Sequence, residues 1–181
     1  NAYKNGTDFN IKMQANGLIN AEKSGVALTW MNAYIDGQPV TPRYGMAVEI
    51  NALWYNALRF ALELATENND TDFIQEWTEI AKKLEQSFIE TFWDEEKGYL
   101  ADYVNHMETN WQVRPNQVIA TALPYSPLTK DMKKSILSLA KKELLTPRGL
   151  RSLSPRDPLY KGQYEGSEAE REAAIHQGTV F

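Results

Sequence analysis

The feature that most constrains the fold of this chain is the order of its predicted elements: a long loop, a weakly charged helix, a short turn and a charged helix. Apolar residues recur at spacings of three and four over residues 48–66 and again over residues 73–92, which predicts two helices joined by the turn ENND. Asp70 or Thr71 is expected to cap the second helix. Because charged residues occupy most of its remaining positions, we expect an outer helix packed on an inner one.

The same order recurs farther along the chain. A weakly charged helix is predicted from Pro115 to about Leu123, since proline is tolerated in a first turn, where its missing N–H costs nothing. Thr129 is expected to cap a charged amphipathic helix, KDMKKSILSLAKKELL. A third long loop follows, and HQGTVF is expected to open another inner helix. Residues 1–25 are interpreted as loop with one or two short strands.

Each inner helix in this arrangement needs neighbours on both sides to bury its apolar surface. Several hairpins are therefore expected to close into a ring or a solenoid, which predicts an all-α fold. The long loops would gather at one end, where their polar residues line a single cleft. We expect residues 1–181 to be one incomplete domain that is cut at both ends.

Composition excludes several classes of function. The net charge of −5 gives no clustered positive charge for a nucleic acid partner. With no cysteine, disulfides, thiolate zinc sites and cysteine nucleophiles are excluded, and His106 and His176 are too far apart to form a helical metal-binding pair. No apolar run approaches the ~18 residues of a membrane span, and the first residues lack the features of a signal peptide. We expect a cytoplasmic protein without a metal or cofactor.

The richest stretch is residues 26–58, where aromatic, amide and charged side chains are denser than a core requires. Buried polar groups cost free energy unless each finds a partner, so this density indicates a pocket for a polar ligand. Similar side chains surround the second long loop. The candidates in these two regions are Trp30, Arg43, Glu49, Asn51, Trp111, Arg114, Asn116 and Gln117.

Each type of candidate has a structural alternative. The rings of Trp30 and Trp111 can stack on sugar faces, whereas Trp54 fits a core position on its helix. Guanidinium groups can grip paired hydroxyls or form salt bridges. Glu49 can bind a sugar or be a helix N-terminal charge, and the amides can recognise hydroxyls or cap helices.

A combination of motifs then identifies a family. The segments LTWMNAYIDGQPVTPRYGMAVEINALWYNAL, RPNQ, TPRGLRSLSPRDPLYKGQYEG and AIHQGTVF, in this order, resemble the amylo-α-1,6-glucosidase family, the C-terminal glucosidase domain of glycogen debranching enzymes. The resemblance extends over nearly all of residues 16–181. It implies a six-hairpin (α/α)6 toroid, of which this chain covers part.

The resemblance also implies a reaction, the hydrolysis with inversion of a single α-1,6-linked glucose at a glycogen branch point. Inversion needs an acid and a base carboxyl about 6.5–9.5 Å apart. The family's acid resembles the Asp of a Thr-Trp-Met-Asp motif, but Asn32 stands at that position here. The base implied by the resemblance lies beyond Phe181, so the 181-residue chain is expected to be inactive. Asp36 is the nearest alternative acid, but an Asp before Gly37 favours a turn.

Residues of the third loop also match family motifs: Arg151, Asp157, Tyr164, His176 and Gln177. All but Asp157 are expected to contribute to the substrate site. A lone His is usually structural, but His176 with Gln177 at the start of a predicted inner helix favours a pocket. The run EGSEAEREA is interpreted instead as a solvated face without chemistry.

The expected partner is glycogen or another branched α-glucan. Two alternatives stay open: a non-catalytic α-glucan-binding module that has lost its acid, and a toroid glycosidase for another α-glucoside, such as trehalose or a processing glycan. An inner helix exposed at the break would also favour self-association.

Overall fold

The computed structural model describes residues 2–180, in which helices alternate with long connections. The α-helices of this range are α1 (Ala2–Asn5), α2 (Val48–Glu67), α3 (Thr71–Phe92), α4 (Asn116–Ala122), α5 (Lys130–Glu143) and α6 (Glu168–Ala174), and a 3-10 helix covers Asp8–Asn10. The strands, each of two residues, are β1 (Lys12–Met13), β2 (Ile19–Asn20), β3 (Tyr34–Ile35), β4 (Gln38–Pro39), β5 (Met46–Ala47), β6 (Trp93–Asp94), β7 (Tyr99–Leu100), β8 (Tyr103–Val104), β9 (Thr109–Asn110), β10 (Leu145–Thr146) and β11 (Gly149–Leu150).

The four predicted helices are confirmed as α2, α3, α4 and α5. Asp70 caps α3 by accepting a hydrogen bond from the Phe73 N–H at 3.0 Å, and Thr129 caps α5 by accepting one from the Met132 N–H at 3.3 Å. Each cap satisfies one of the N–H groups that a helix start leaves without an intrahelical partner. The local signals in the sequence therefore set these boundaries.

Helix α2 lies at the centre of the packing. It packs against α3 on one side and α4 on another, while α5 packs against α4. Tyr55 and Leu58 of α2, Leu84 and Phe88 of α3 and Ala120 of α4 belong to one buried cluster. Helix α3 thus covers α2 as the outer member of a hairpin, and α4 places a second hairpin beside it. Closure of such hairpins into a ring stays a prediction.

The expectation of an all-α domain needs correction, because the long connections form short antiparallel hairpins. These pairs are β1 with β2, β3 with β4, β6 with β7 and β10 with β11. Turn residues favour them: Asp36 and Gly37, between β3 and β4, both have positive φ, at 48° and 73°. The turn role predicted for Asp36 is thereby confirmed. In the first 25 residues the predicted short strands are present, but α1 and the 3-10 helix were not predicted.

A three-stranded sheet, in the order β5, β8, β9, joins the first long loop to the second. Met46 pairs with Val104 and Ala47 with Tyr103, directly before α2 begins. Gly45 permits this contact, because a Cβ atom there would lie 2.4 Å from the Val104 carbonyl oxygen. The sheet therefore holds both loops against the N-terminus of α2.

The third long loop differs from the prediction in two ways. It contains α6, where Ser167 and Glu170 form a capping box, and the EGSEAEREA run is exposed as far as Glu170, as expected, and half-buried beyond it. The helix predicted to open at His176 does not begin within the described residues; Phe181 lies outside them. His176 and Gly178 have φ of 63° and 137°, and these left-handed conformations end the helical path.

Candidate functional site

A buried salt-bridge network lies where the first long loop meets α2. Arg43 forms a bidentate pair with Glu49, with 2.7 Å between Nη2 and Oε2, and its Nε donates to Asp102 Oδ2 at 2.7 Å. Further Arg43 N–H groups donate to the Asp102 carbonyl at 2.9 Å and to Thr29 Oγ1 at 3.2 Å. All five guanidinium N–H groups therefore have acceptors, so a ligand would have to displace one of them. The structure favours the salt-bridge alternative for Arg43, and Glu49, in the first turn of α2, is its partner.

Asp102 is the centre of this network, although its role was not predicted from the sequence. Its Oδ1 accepts from Asn116 Nδ2 at 2.7 Å, and its Oδ2 lies 3.8 Å from Arg114 Nε. Only 2% of the residue is exposed. A charged residue between the apolar pairs Leu100–Ala101 and Tyr103–Val104 is a sequence signal that could have identified it, because such a charge needs a partner.

The pKa values of the two guanidinium groups in this network shift in opposite directions. Burial lowers the pKa of Arg43, but the Asp102 and Glu49 carboxylates outweigh it and the net shift is upward. The pKa of Arg114 is lowered, mainly by burial and in part by Arg43, against the opposing attraction of Asp102. The difference follows from distance, since Arg43 contacts two carboxylates directly and Arg114 does not.

Arg114 instead ties the second long loop to the third. It donates to the Ser152 carbonyl and to Gln177 Oε1, each at 3.0 Å, and also to the His176 carbonyl. Gln112 Oε1 accepts a further bond at 2.9 Å. Arg114 therefore fixes the backbone that carries His176.

Trp30 forms the exposed edge of the site and is held by the buried residues Asn116 and His176. The Trp30 indole N–H donates to Asn116 Oδ1 at 2.8 Å, and the ring meets His176 edge-on with 5.1 Å between centroids. Trp30 keeps 38% of its surface exposed, whereas Asn116 is fully buried. The ring is thus held by buried residues while part of it stays accessible to a ligand.

His176 connects this edge to Asn32. The Asn32 backbone N–H donates to His176 Nε2 at 3.2 Å. Burial, with the nearby Arg114 and Arg43 charges, lowers the pKa of His176 to about 4, so its imidazole is neutral at pH 7 and Nε2 can accept. The Asn32 residue is exposed beside Trp30. Its carboxamide can donate and accept hydrogen bonds but cannot transfer a proton as a carboxylic acid does.

Three other predicted amides bind mainly protein backbone. Asn51 accepts from the Ile19 N–H at 2.7 Å and donates to the Ile19 carbonyl at 3.1 Å, which fastens β2 to α2. Gln117 accepts from the Leu100 N–H at 3.3 Å. Gln177 accepts from Arg114, as above, and donates to the Val40 carbonyl at 3.3 Å. Their observed bonds support the loops, and a direct role in substrate binding stays a prediction.

The remaining candidates lie apart from these contacts. Trp111 packs edge-on against Tyr99, with 5.9 Å between centroids, and Lys97 lies over its ring. Arg151 forms an isolated bridge with Val180, and Tyr164 is 55% exposed in the third loop. The Asp157 side chain accepts from the Leu159 N–H at 2.9 Å, as a turn residue does. Substrate contacts of these residues stay predictions.

Two clefts flank the site. One, of about 280 Å³, is lined by Trp30 and Asn116 together with the apolar residues Val118, Ile119 and Leu150. The other, of about 330 Å³, has Thr29 and Arg43 among mostly apolar walls. The first presents one accessible aromatic ring among apolar walls, against which the face of a sugar can stack.

Residues 2–180 contain no group of three or more His, Cys, Asp or Glu side chains placed to hold a metal ion. The helices of this range include none with the length and apolarity needed to cross a membrane.

Comparison with known proteins gives consistent matches. A family model described as amylo-alpha-1,6-glucosidase matches residues 1–181. The chain is also 27% identical, over 212 aligned residues, to a protein of Saccharomyces cerevisiae named glycogen debranching enzyme. That alignment covers 96% of this chain but only 14% of the yeast protein. The chain therefore spans a small part of the length of this curated relative.

Proposed function

Because the chain belongs to the amylo-α-1,6-glucosidase family, we propose that it forms part of the glucosidase unit of a glycogen debranching enzyme. The substrate is a branched α-glucan, and the reaction is release of the α-1,6-linked glucose at a trimmed branch point. The observation that carries the proposal is the position of Asn32. This residue lies exposed at the site edge, with its backbone bound to His176 and Trp30 beside it.

An inverting glycosidase requires two carboxyl groups, an acid that protonates the leaving oxygen and a base that activates water. In this proposal Asn32 occupies the position of the acid, and the base is supplied from beyond Phe181. A carboxamide cannot protonate the glycosidic oxygen, so the 181-residue chain is inactive by itself. It retains hydrogen-bonding groups for sugar hydroxyls and an aromatic face.

The buried network has a supporting role in this proposal. Arg43, Glu49, Asp102 and Arg114 hold the three long loops in one arrangement, and their charges neutralise one another. Pre-organised loops lower the entropy cost of binding a flexible glucan. The hairpins formed by α2 with α3 and by α4 with α5 would be two adjacent sectors of the (α/α)6 toroid, with these loops at one end.

A non-catalytic α-glucan-binding module is the second candidate function. The exposed part of Trp30 favours it, since a partly accessible ring next to amides can bind sugar without a catalytic acid. Both candidates predict binding, and they differ in whether an acid at position 32 restores hydrolysis.

Binding is tested by calorimetric titration of the 181-residue chain with a branched limit dextrin. We expect saturable binding that Trp30→Ala weakens at least about tenfold, as loss of about 1.4 kcal/mol of stacking would produce. Phe9→Ala, which removes an exposed ring from the 3-10 helix near the N-terminus, is the matched control and should bind normally. Equal affinity of Trp30→Ala and the unmodified chain would contradict a glucan site at Trp30.

Self-association and a cytoplasmic location are further parts of the proposal. Leu53, Phe60 and Leu64 are 44%, 51% and 42% exposed on α2, and such an apolar face favours association. Sedimentation should show a dimer or larger species that Leu64→Glu converts to monomer. A concentration-independent monomer would contradict this part.

A further inference from the structure

We propose that Asp102 is a positioning residue of the site, which sets the orientation of the Trp30 ring through Asn116. The proposal rests on two consecutive hydrogen bonds. The Trp30 indole N–H donates to Asn116 Oδ1 at 2.8 Å, and Asn116 Nδ2 donates to Asp102 Oδ1 at 2.7 Å.

These two hydrogen bonds form a relay from Trp30 through Asn116 to Asp102. The chemistry of the groups at its two ends fixes the orientation of the Asn116 amide. An indole N–H only donates, and a carboxylate only accepts. The Asn116 amide can satisfy both neighbours in one orientation, with its oxygen towards Trp30 and its nitrogen towards Asp102. A flipped amide would place two donors together at one end and two acceptors at the other, so Asp102 determines where the Trp30 acceptor lies.

Asp102, at one end of the relay, is held by hydrogen bonds to both its side chain and its backbone. Asp102 accepts two bonds from Arg43 through its carboxylate, at 2.7 and 3.1 Å. Its backbone is also held, because its N–H donates to the Asn110 carbonyl at 2.8 Å and its carbonyl accepts from the Val48 N–H at 3.1 Å. The relay therefore connects a mostly irregular loop that carries Trp30 to the start of α2 and to the three-stranded sheet.

The consequence concerns ligand binding, and this part rests on the proposed function. Trp30 and Asn116 line the same cleft of about 280 Å³. A ring that is already oriented loses less side-chain entropy when a sugar stacks on it. Asp102 would thereby contribute to glucan affinity without contacting the glucan.

The relay is tested in the ligand-free chain by NMR of 15N-labelled tryptophan, with Trp30→Phe to assign the Trp30 indole signal. Asn116→Ala should shift that signal and accelerate its hydrogen exchange at least about tenfold, because the N–H loses its buried acceptor. The Trp54 indole, which donates to the Gly17 carbonyl at 3.1 Å, is the internal reference and should stay unchanged.

Two further variants separate positioning from a general loss of structure. Asn56→Ala is the matched control, since Asn56 on α2 accepts from the N–H of Tyr125, which follows the end of α4, at 3.1 Å and has no bond to Trp30. Asp102→Asn keeps the shape of the side chain but no longer requires a donor from Asn116, so it should move the Trp30 signal in the same direction as Asn116→Ala. An unchanged Trp30 signal in Asn116→Ala or in folded Asp102→Asn, or equal shifts of the Trp54 signal, would overturn the proposal.

A dextrin titration of the same samples distinguishes this inference from the proposed function. If both hold, dextrin shifts the Trp30 signal of the unmodified chain, and Asn116→Ala weakens binding at least about threefold. If Asn116→Ala moves the Trp30 signal but dextrin has no effect on the unmodified chain, the relay stands and the glucan site fails.

Discussion

The substitution Asp102→Asn removes one of the two carboxylates that neutralise Arg43 and Arg114. Their side chains are almost fully buried, with Asp102 at 1% and both arginines at 2% exposure. The variant would keep two buried guanidinium groups opposite only Glu49. Removing one member of a buried ion pair typically costs about 3–5 kcal/mol, because a charge is left without its partner in a poorly solvated site. We expect the free energy of unfolding to fall by about this amount.

Urea unfolding of the 181-residue chain, followed by tryptophan fluorescence and far-ultraviolet circular dichroism, measures this loss. With a slope of about 2 kcal/mol per molar urea, the midpoint should fall by about 1.5–2.5 M. Glu79→Gln is the matched control, because Glu79 pairs with Lys82 on the solvent-exposed face of α3. It should change the free energy of unfolding by less than about 0.5 kcal/mol. A loss below about 1 kcal/mol in Asp102→Asn would refute the role given to this network.

Two other predictions concern stability. The pKa of His176 is lowered from 6.5 to about 4 in the folded chain, so between these pH values the unfolded chain binds the proton more tightly and stability falls as the pH falls. His176→Gln should reduce the pH dependence of the urea midpoint in this window, and identical slopes in the two proteins would contradict the assignment. Leu84→Ala should cost about 2–5 kcal/mol, because Leu84 is fully buried between α2 and α3, whereas Leu137→Ala on the exposed face of α5 should cost little. Thermal or urea unfolding checks both, and equal losses would contradict the packing described here.

The helices and their caps were predictable because their signals are local. The apolar spacing that defines α2 and α3 lies within one stretch of chain, and Asp70 and Thr129 act on N–H groups three residues away. The capping box of Ser167 and Glu170 is equally local. It was readable from the sequence, but the surrounding run was interpreted only as a charged face.

The two-residue strands were much harder to predict. A strand of this length has no alternation that can be counted, and β5 finds its partner β8 more than fifty residues along the chain. Turn chemistry at Asp36 and Gly37 indicated one reversal of the chain but not the pairing on either side. The contacts that hold the three loops together therefore depend on tertiary structure.

In the candidate site, too, the features with local sequence signals were predictable and those that depend on tertiary contacts were not. The sequence left Arg43 as a salt-bridge or sugar-binding residue and Glu49 as a helix N-terminal charge or a sugar ligand, and the geometry pairs the two. It did not indicate Asp102, because the importance of this residue comes from Arg43, Arg114 and Asn116 converging on it from distant segments. The type of a side chain can be read locally, whereas its partners cannot.

The central claim is that position 32 is the place of the general acid in a glucan site. Glucose release from a branched limit dextrin tests it most directly, measured with the 181-residue chain and with a longer form that extends beyond Phe181, each with Asn32 and with Asn32→Asp. Asn68→Asp at the exposed end of α2 is the matched control for the added charge.

The account predicts glucose release only from the longer form with Asn32→Asp. Release by the longer form with Asn32 in place would contradict the claim, because the acid would then be another group. No release by a folded, dextrin-binding Asn32→Asp form that contains the base would contradict it equally.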